Sequence, residues 1–322
     1  MRTLFLDYET VSNGDLDTTS LERAAPGIHF YPLTTEAQLA ERIADAQIVL
    51  INKIELTRER LLGARKLELI AVAGTGTDGV DLAAAGERGI AVCNVRGYCT
   101  VSVVQHAWAM ILSLTQHLSQ YMRLATDGSW AEGAWVENET NAVLAHPIRE
   151  LSGRVLGIVG WGTLGRGVAA VGEAFGMRTL VCNRPGAHPE AGRVSLDELL
   201  ATADIVSLHC PSTPATRGLI GARELKLMKP DALLINTARG ALVDGASLAR
   251  ALREGRLAGA GIDVLPQEPP TDGDPLLDPG IPNLILTPHI AWAAREARQR
   301  CIDEMGANLT DFLRGGRRGR VI

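Results

Sequence analysis

Val155-Leu-Gly-Ile-Val159 runs directly into Gly160-Trp-Gly162-Thr163-Leu164-Gly165. Residues 154–160 read as a strand, and residues 163–175 carry apolar positions at helical spacing. A Gly-x-Gly-x-x-Gly spacing between a strand and a helix divides the labour among its glycines. The first makes a tight turn, the second lets the backbone approach a pyrophosphate, and the third allows close helix–strand packing, with the helix N-terminus facing the anion. The stretch therefore reads as the opening of a Rossmann-type dinucleotide-binding domain, with Gly160, Gly162, Thr163, Leu164 and Gly165 as candidate cofactor-binding residues.

The same alternation extends in both directions. Downstream, residues 178–182, 204–208, 232–236, 260–264 and 284–286 read as strands; upstream, residues 3–6, 48–51, 69–72 and 90–93 do, with a helix over 36–45. Such alternation specifies an α/β protein of βαβ units, its parallel sheets covered by helices on both faces. Residues 101–118 read as a long buried helix and residues 293–313 as a helical tail leading to a solvated, basic Arg314-Gly-Gly-Arg-Arg. Residues 127–150 show no period, and Trp130 and Trp135 within them point to a dimer contact.

With 322 residues the chain has room for two domains of ~150 residues each. Its net charge of −5 argues against a nucleic-acid partner. No apolar run is long enough for a bilayer, and MRTLFLDYET lacks the features of a signal peptide, so a soluble cytoplasmic protein is expected. Cys93, Cys99, Cys182, Cys210 and Cys301 are scattered without a C-x-x-C pair, which suits reduced thiols better than disulfides or metal ligands.

Cofactor selectivity is read roughly twenty residues past the glycines, where NAD-binding chains place an acidic residue on the ribose. Here Val181-Cys182-Asn183-Arg184 offers no carboxylate and an adjacent guanidinium, which favours NADP(H). In the alternative, Asn183 hydrogen-bonds the ribose of NAD and Arg184 faces solvent.

Three later strand ends carry polar residues: Arg239 in Ile235-Asn-Thr-Ala-Arg-Gly, Glu268 after Gly261-Ile-Asp263, and His289 in Leu286-Thr-Pro-His. Strand ends are where such sheets place chemistry. An arginine can grip a carboxylate with two parallel bonds, a histidine can give a proton near neutral pH, and a carboxylate beside it stabilises the imidazolium. Of the other histidines, His29, His106, His117, His146 and His188 read as surface or structural, and His209 as packing near a cofactor.

These motifs together resemble the D-isomer-specific 2-hydroxyacid dehydrogenase family over essentially the whole chain. The run HIAWAAREARQR and Ile51-Asn-Lys53 are similar to its glycerate dehydrogenase, or hydroxypyruvate reductase, branch. The resemblance implies a flavodoxin-like substrate domain from residues 1–98 and 293–322, with the Rossmann-type domain (99–292) inserted in it and residues 120–150 as the arm of a homodimer. It implies reduction of hydroxypyruvate or glyoxylate to D-glycerate or glycolate by NAD(P)H, with His289 as proton donor, Glu268 as its partner and Arg239 on the substrate's carboxylate and carbonyl. Gly74, Thr75 and Gly76 match a segment whose amides grip that carboxylate, and Lys53 is a candidate for the substrate's anionic end. Thr75, Ser102, Cys210, Thr237, Ala238, Arg239, Asp263, His289, Ala291 and Trp292 match cofactor-lining positions.

Departures narrow the choice. Phosphoglycerate dehydrogenases carry arginine where this chain has Val72, formate dehydrogenases carry Gln in place of Glu268, and phosphite dehydrogenase carries lysine at the Thr75 position. Two alternatives stand beside the reductase: a dinucleotide-sensing corepressor or scaffold of the same fold, and a dehydrogenase for another D-2-hydroxy acid.

Overall fold

The computed structural model describes residues 1–128, 130, 144, 146–183 and 190–322. Trp135, Arg184 and His188 lie outside these residues, as does about half of the expected dimer arm. Packing divides the chain into two units, Met1–Thr100 with Trp292–Ile322, and Val101–Ala291.

The first unit holds a parallel sheet of β1 (Thr3–Phe5), β2 (His29–Phe30), β3 (Ile48–Ile51), β4 (Leu69–Val72) and β5 (Ala91–Cys93), in the order β2-β1-β3-β4-β5. This is the flavodoxin-like doubly wound order. Because side chains alternate across a strand, neighbouring residues feed opposite cores. Leu4, Val49, Ile51 and Ile70 pack on α2 (Glu36–Ala44), α3 (Arg58–Gly63) and α4 (Leu82–Glu87). Phe5, Ile48, Leu50 and Ala71 pack on α1 (Thr19–Ala24) and on the C-terminal helix Arg295–Leu313. The helix α1, the short α3 and α4, and the two-residue β2 have no counterpart in the sequence reading.

The basic run at residues 314–318 is largely exposed, as expected, while the residues that follow it lie along β5. Arg320 bridges Cys93 in antiparallel sense, and Val321 N–H donates to Val92 O at 2.7 Å. Trp292, grouped with the second domain from sequence, packs on the core of the first unit.

The second unit holds a six-stranded parallel sheet of β6 (Val155–Val159), β7 (Arg178–Val181), β8 (Ile205–Leu208), β9 (Leu233–Asn236), β10 (Gly259–Ile262) and β11 (Leu284–Leu286), in the order β11-β10-β9-β8-β6-β7. Relative to the common Rossmann order 3-2-1-4-5-6, the outer third strand is reduced, among the described residues, to one parallel bridge between Cys182 and Val194. One face packs on α5 (Thr100–Thr115) and α7 (Thr163–Ala174), the latter following α6 (Leu118–Thr126). The other face packs on α8 (Leu196–Thr202), α9 (Ala222–Leu227) and α10 (Gly245–Arg253). Burial on both faces explains why β6, VLGIV, is a continuous apolar run. Among the described residues no helix is long and apolar enough to cross a membrane.

Candidate active site

Chemistry gathers at the carboxyl ends of β9, β10 and β11. At the end of β9 the buried Asn236 shapes the turn: its Nδ2 donates to Arg239 O at 2.9 Å, and its Oδ1 accepts from Ala238 N–H at 3.0 Å. The Arg239 guanidinium donates to Ala238 O at 2.8 Å. Gly240 follows because a Cβ there would stand 2.0 Å from the carbonyl carbon of Leu265. The Arg239 turn therefore rests, backbone on backbone, against the segment leading out of β10. That segment carries Glu268, whose Oε1 accepts from Leu265 N–H at 2.9 Å.

Glu268 Oε2 lies 2.5 Å from His289 Nδ1. A carboxylate only accepts, so Nδ1 carries the proton, leaving Nε2 as the nitrogen that can exchange a proton with a substrate. His289 sits at φ +54° in the left-handed region, a conformation that the loop around it enforces. Its N–H donates to Asp263 O at 2.7 Å. The buried Asp263 carboxylate accepts from Ile290 N–H and Ala291 N–H at 2.9 Å each, and from Thr287 Oγ1 at 2.5 Å. His106 on α5 reaches the same cluster, with Nε2 3.1 Å from Thr287 Oγ1 and 3.5 Å from Asp263 Oδ1. Ser102, also on α5, donates to Ala291 O at 2.5 Å.

A second cluster lies where the sheet order reverses between β6 and β8. Gly160 has φ +107°, and a Cβ on it would fall 2.6 Å from the His209 carbonyl group. At Gly165 a Cβ would fall 2.1 Å from Gly160 O, so α7 approaches the turn closely. At Gly162 a Cβ would meet nothing within 4 Å. The protein's own packing thus has no need of a glycine there, whereas a pyrophosphate approaching the backbone does. The Thr237 hydroxyl, beyond β9, is buried with no hydrogen-bond partner among the described residues, as an acceptor or donor for a ligand would be. These residues fit a dinucleotide.

His209 donates its N–H to Val159 O at 2.7 Å and has Nε2 2.8 Å from Ser207 Oγ. Burial pushes its pKa down to about 4, so the ring is neutral. Burial also raises the Cys210 thiol and pushes Cys182 up to about 11, which makes both unreactive. Asn183 Oδ1 accepts from Glu190 N–H at 3.0 Å, and Arg193 pairs with Glu190 at 2.7 Å.

Within the first unit, Thr75 Oγ1 donates to Val95 O, and Asn94 Nδ2 donates to Thr75 O, both at 2.7 Å. Val95 N–H donates to Gly74 O at 2.9 Å, so the 74–76 loop is tied to the residues after β5. The Lys53 ammonium stands 6.0 Å from the centre of the Trp292 ring.

Arg239, Glu268 and His289 thus come together with Asp263, Ser102 and Ala291 in one unit, while Lys53, Gly74, Thr75, Gly76 and Trp292 belong to the other. Sequence reasoning missed Asn236, Gly240, Thr287 and His106. The Ala-Arg-Gly triplet held the only local signal, a glycine directly after the candidate arginine.

Residues 108–291 match the family model for the NAD binding domain of D-isomer specific 2-hydroxyacid dehydrogenases. The chain is 40% identical to a glycerate dehydrogenase of Methylorubrum extorquens, over 98% of this chain and 96% of that one. The chain belongs to the D-isomer specific 2-hydroxyacid dehydrogenase family. It is also 36% identical to a hydroxypyruvate reductase of Blautia hydrogenotrophica, over 98% of both chains. Among solved structures it is similar to a D-lactate dehydrogenase from Aquifex aeolicus complexed with NAD and lactic acid, with a TM-score of 0.82, 28% identity, and coverage of 98% and 96% of the two chains. As a member of this dehydrogenase family the chain is an oxidoreductase that uses a nicotinamide dinucleotide.

Proposed function

We propose that this chain reduces hydroxypyruvate and glyoxylate to D-glycerate and glycolate, with NADPH preferred over NADH. The 2.5 Å pairing of His289 with Glu268, one strand end from Arg239, carries the reading. Arg239 binds the carboxylate of the 2-oxo acid and polarises its carbonyl. His289, protonated at Nε2, gives a proton to the carbonyl oxygen, and Glu268 stabilises the imidazolium before that transfer. Gly160, Gly162, Gly165 and Thr237 would hold the nicotinamide dinucleotide, which supplies a hydride when bound. Gly74, Thr75 and Gly76 add amide contacts to the substrate carboxylate. The names of the similar glycerate dehydrogenase and hydroxypyruvate reductase favour hydroxypyruvate.

The NADPH preference rests on Asn183, which puts no negative charge where a 2′-phosphate would approach. A homodimer is part of the same reading, and the exposed Leu118, Met122 and Trp130 support it. Initial rates with hydroxypyruvate, with NADH and NADPH at equal concentration, test substrate and cofactor together. NADPH should be oxidised faster, and His289→Ala should lower kcat by ~10²–10⁴. An unchanged kcat in that variant removes His289 from the chemistry, and faster NADH oxidation reverses the cofactor assignment.

A further inference from the structure

The first unit has a reversal of its own, between β1 and β3 in the order β2-β1-β3-β4-β5. In doubly wound sheets ligands bind beyond the carboxyl ends of the strands at such a reversal. One residue separates β1 from Asp7, and residues 52–54 follow β3 directly. Asp7 is only 2% exposed. Its carboxylate accepts from three successive backbone N–H groups: Asn52 at 2.9 Å, Lys53 at 2.6 Å and Ile54 at 3.2 Å. Asn52 Nδ2 completes the clamp by donating to Thr10 Oγ1 at 2.9 Å and Thr10 O at 3.1 Å.

A buried carboxylate is a costly way to close a turn. Burial pushes the Asp7 carboxyl above its usual range, against the pull of the three N–H groups and of the Lys53 charge. The turn so gripped has a lysine as its middle residue, and the Lys53 ammonium projects over the Trp292 ring. We propose that Asp7 is a positioning residue: by clamping the 52–54 turn across the β1/β3 reversal, it holds Lys53 where the ammonium meets the anionic end of the 2-oxo acid. The proposal rests on the reductase reading above.

Steady-state kinetics of the full chain with hydroxypyruvate at saturating NAD(P)H provide the test. Asp7→Asn keeps the size of the side chain but turns an amide donor toward the N–H groups. Its KM should rise about tenfold with kcat within about twofold, the signature of lost binding rather than lost chemistry. Lys53→Met should raise KM comparably, and the double variant should be no worse than either single one, since both lose the same contact. Asn52→Ala, which loosens the same turn without touching the buried acid, should raise KM about threefold and likewise add nothing to Lys53→Met. That variant decides the matter if Asp7→Asn does not fold. Additive effects on KM, or an unchanged KM in Asp7→Asn beside a raised one in Lys53→Met, would overturn the clamp and leave the reductase reading intact. An unchanged KM in Lys53→Met overturns it as well. A wild-type chain that reduces no 2-oxo acid removes the reductase reading itself, and the clamp's purpose with it.

Discussion

The two sheets reverse their strand order in the same way, yet the two reversals are furnished oppositely. Between β6 and β8 the turn is made of glycine, and Gly160 approaches the His209 backbone so closely that no side chain fits. What remains there is the start of α7, whose first-turn N–H groups have no side-chain cap from Gly162. Between β1 and β3 a side chain fills the corresponding place, and the Asp7 carboxylate consumes three N–H groups of the next strand's exit. Bare N–H groups suit a long anionic cofactor. N–H groups already satisfied by an acid suit a rigid mount for a basic side chain. Topology thus sets where a ligand can sit, and the residues just past the strand set what kind.

Three substitutions would break or sharpen this contrast. The largest effect is expected at Gly165→Ala, whose Cβ would lie 2.1 Å from Gly160 O. Overpacking of that severity should cost about 3 kcal/mol and lower the thermal midpoint by about 10 °C. A midpoint equal to wild type would mean that the glycine turn is not set by backbone contact.

His209→Gln should change the pH dependence of stability. The folded ring titrates near 4 because it is buried, and an unfolded one near 6.5. Between these values the unfolded chain binds the extra proton, so the stability held above pH 6.5 is lost as pH falls toward 4. Wild type should lose about 3 kcal/mol more than the variant over that window in denaturant titrations. Parallel curves would show that the strand end beside Gly160 admits water.

The smallest effect on the fold, and the most telling for the cofactor, belongs to Gly162→Ala. With open space around the new methyl, the thermal midpoint should stay within about 1 °C while the Kd for NAD(P)H, read by fluorescence titration, rises about tenfold. If the Kd does not move, the dinucleotide does not lie against Gly162.

How much could be read in advance follows from how local each signal is. The fingerprint glycines and the apolar strands announce themselves within ten residues, so β3, β4 and β11 fall where their sequence places them. Arg239, Glu268 and His289 are legible because each closely follows a strand. The short helices α1, α3 and α4 are six residues long, too short for a periodic stripe. The third Rossmann strand cannot be read at all, because among the described residues only Val194 of it pairs with β7's exit. His106 and Thr287 meet across 181 residues, and Asn236 acts through a turn that it creates itself. Side chains that support a site are chosen by three-dimensional neighbours, and a linear reading has no access to those.

The contact of Gly240 with Leu265 also constrains anyone who would rebuild this enzyme. The arginine turn and the stretch bearing Glu268 are one interlocked tile, with no room between them for even a methyl group. A turn transplanted from another protein at residues 237–240 would collide unless residues 264–268 travelled with it. Designers and natural recombination alike should therefore exchange the two as a single cassette.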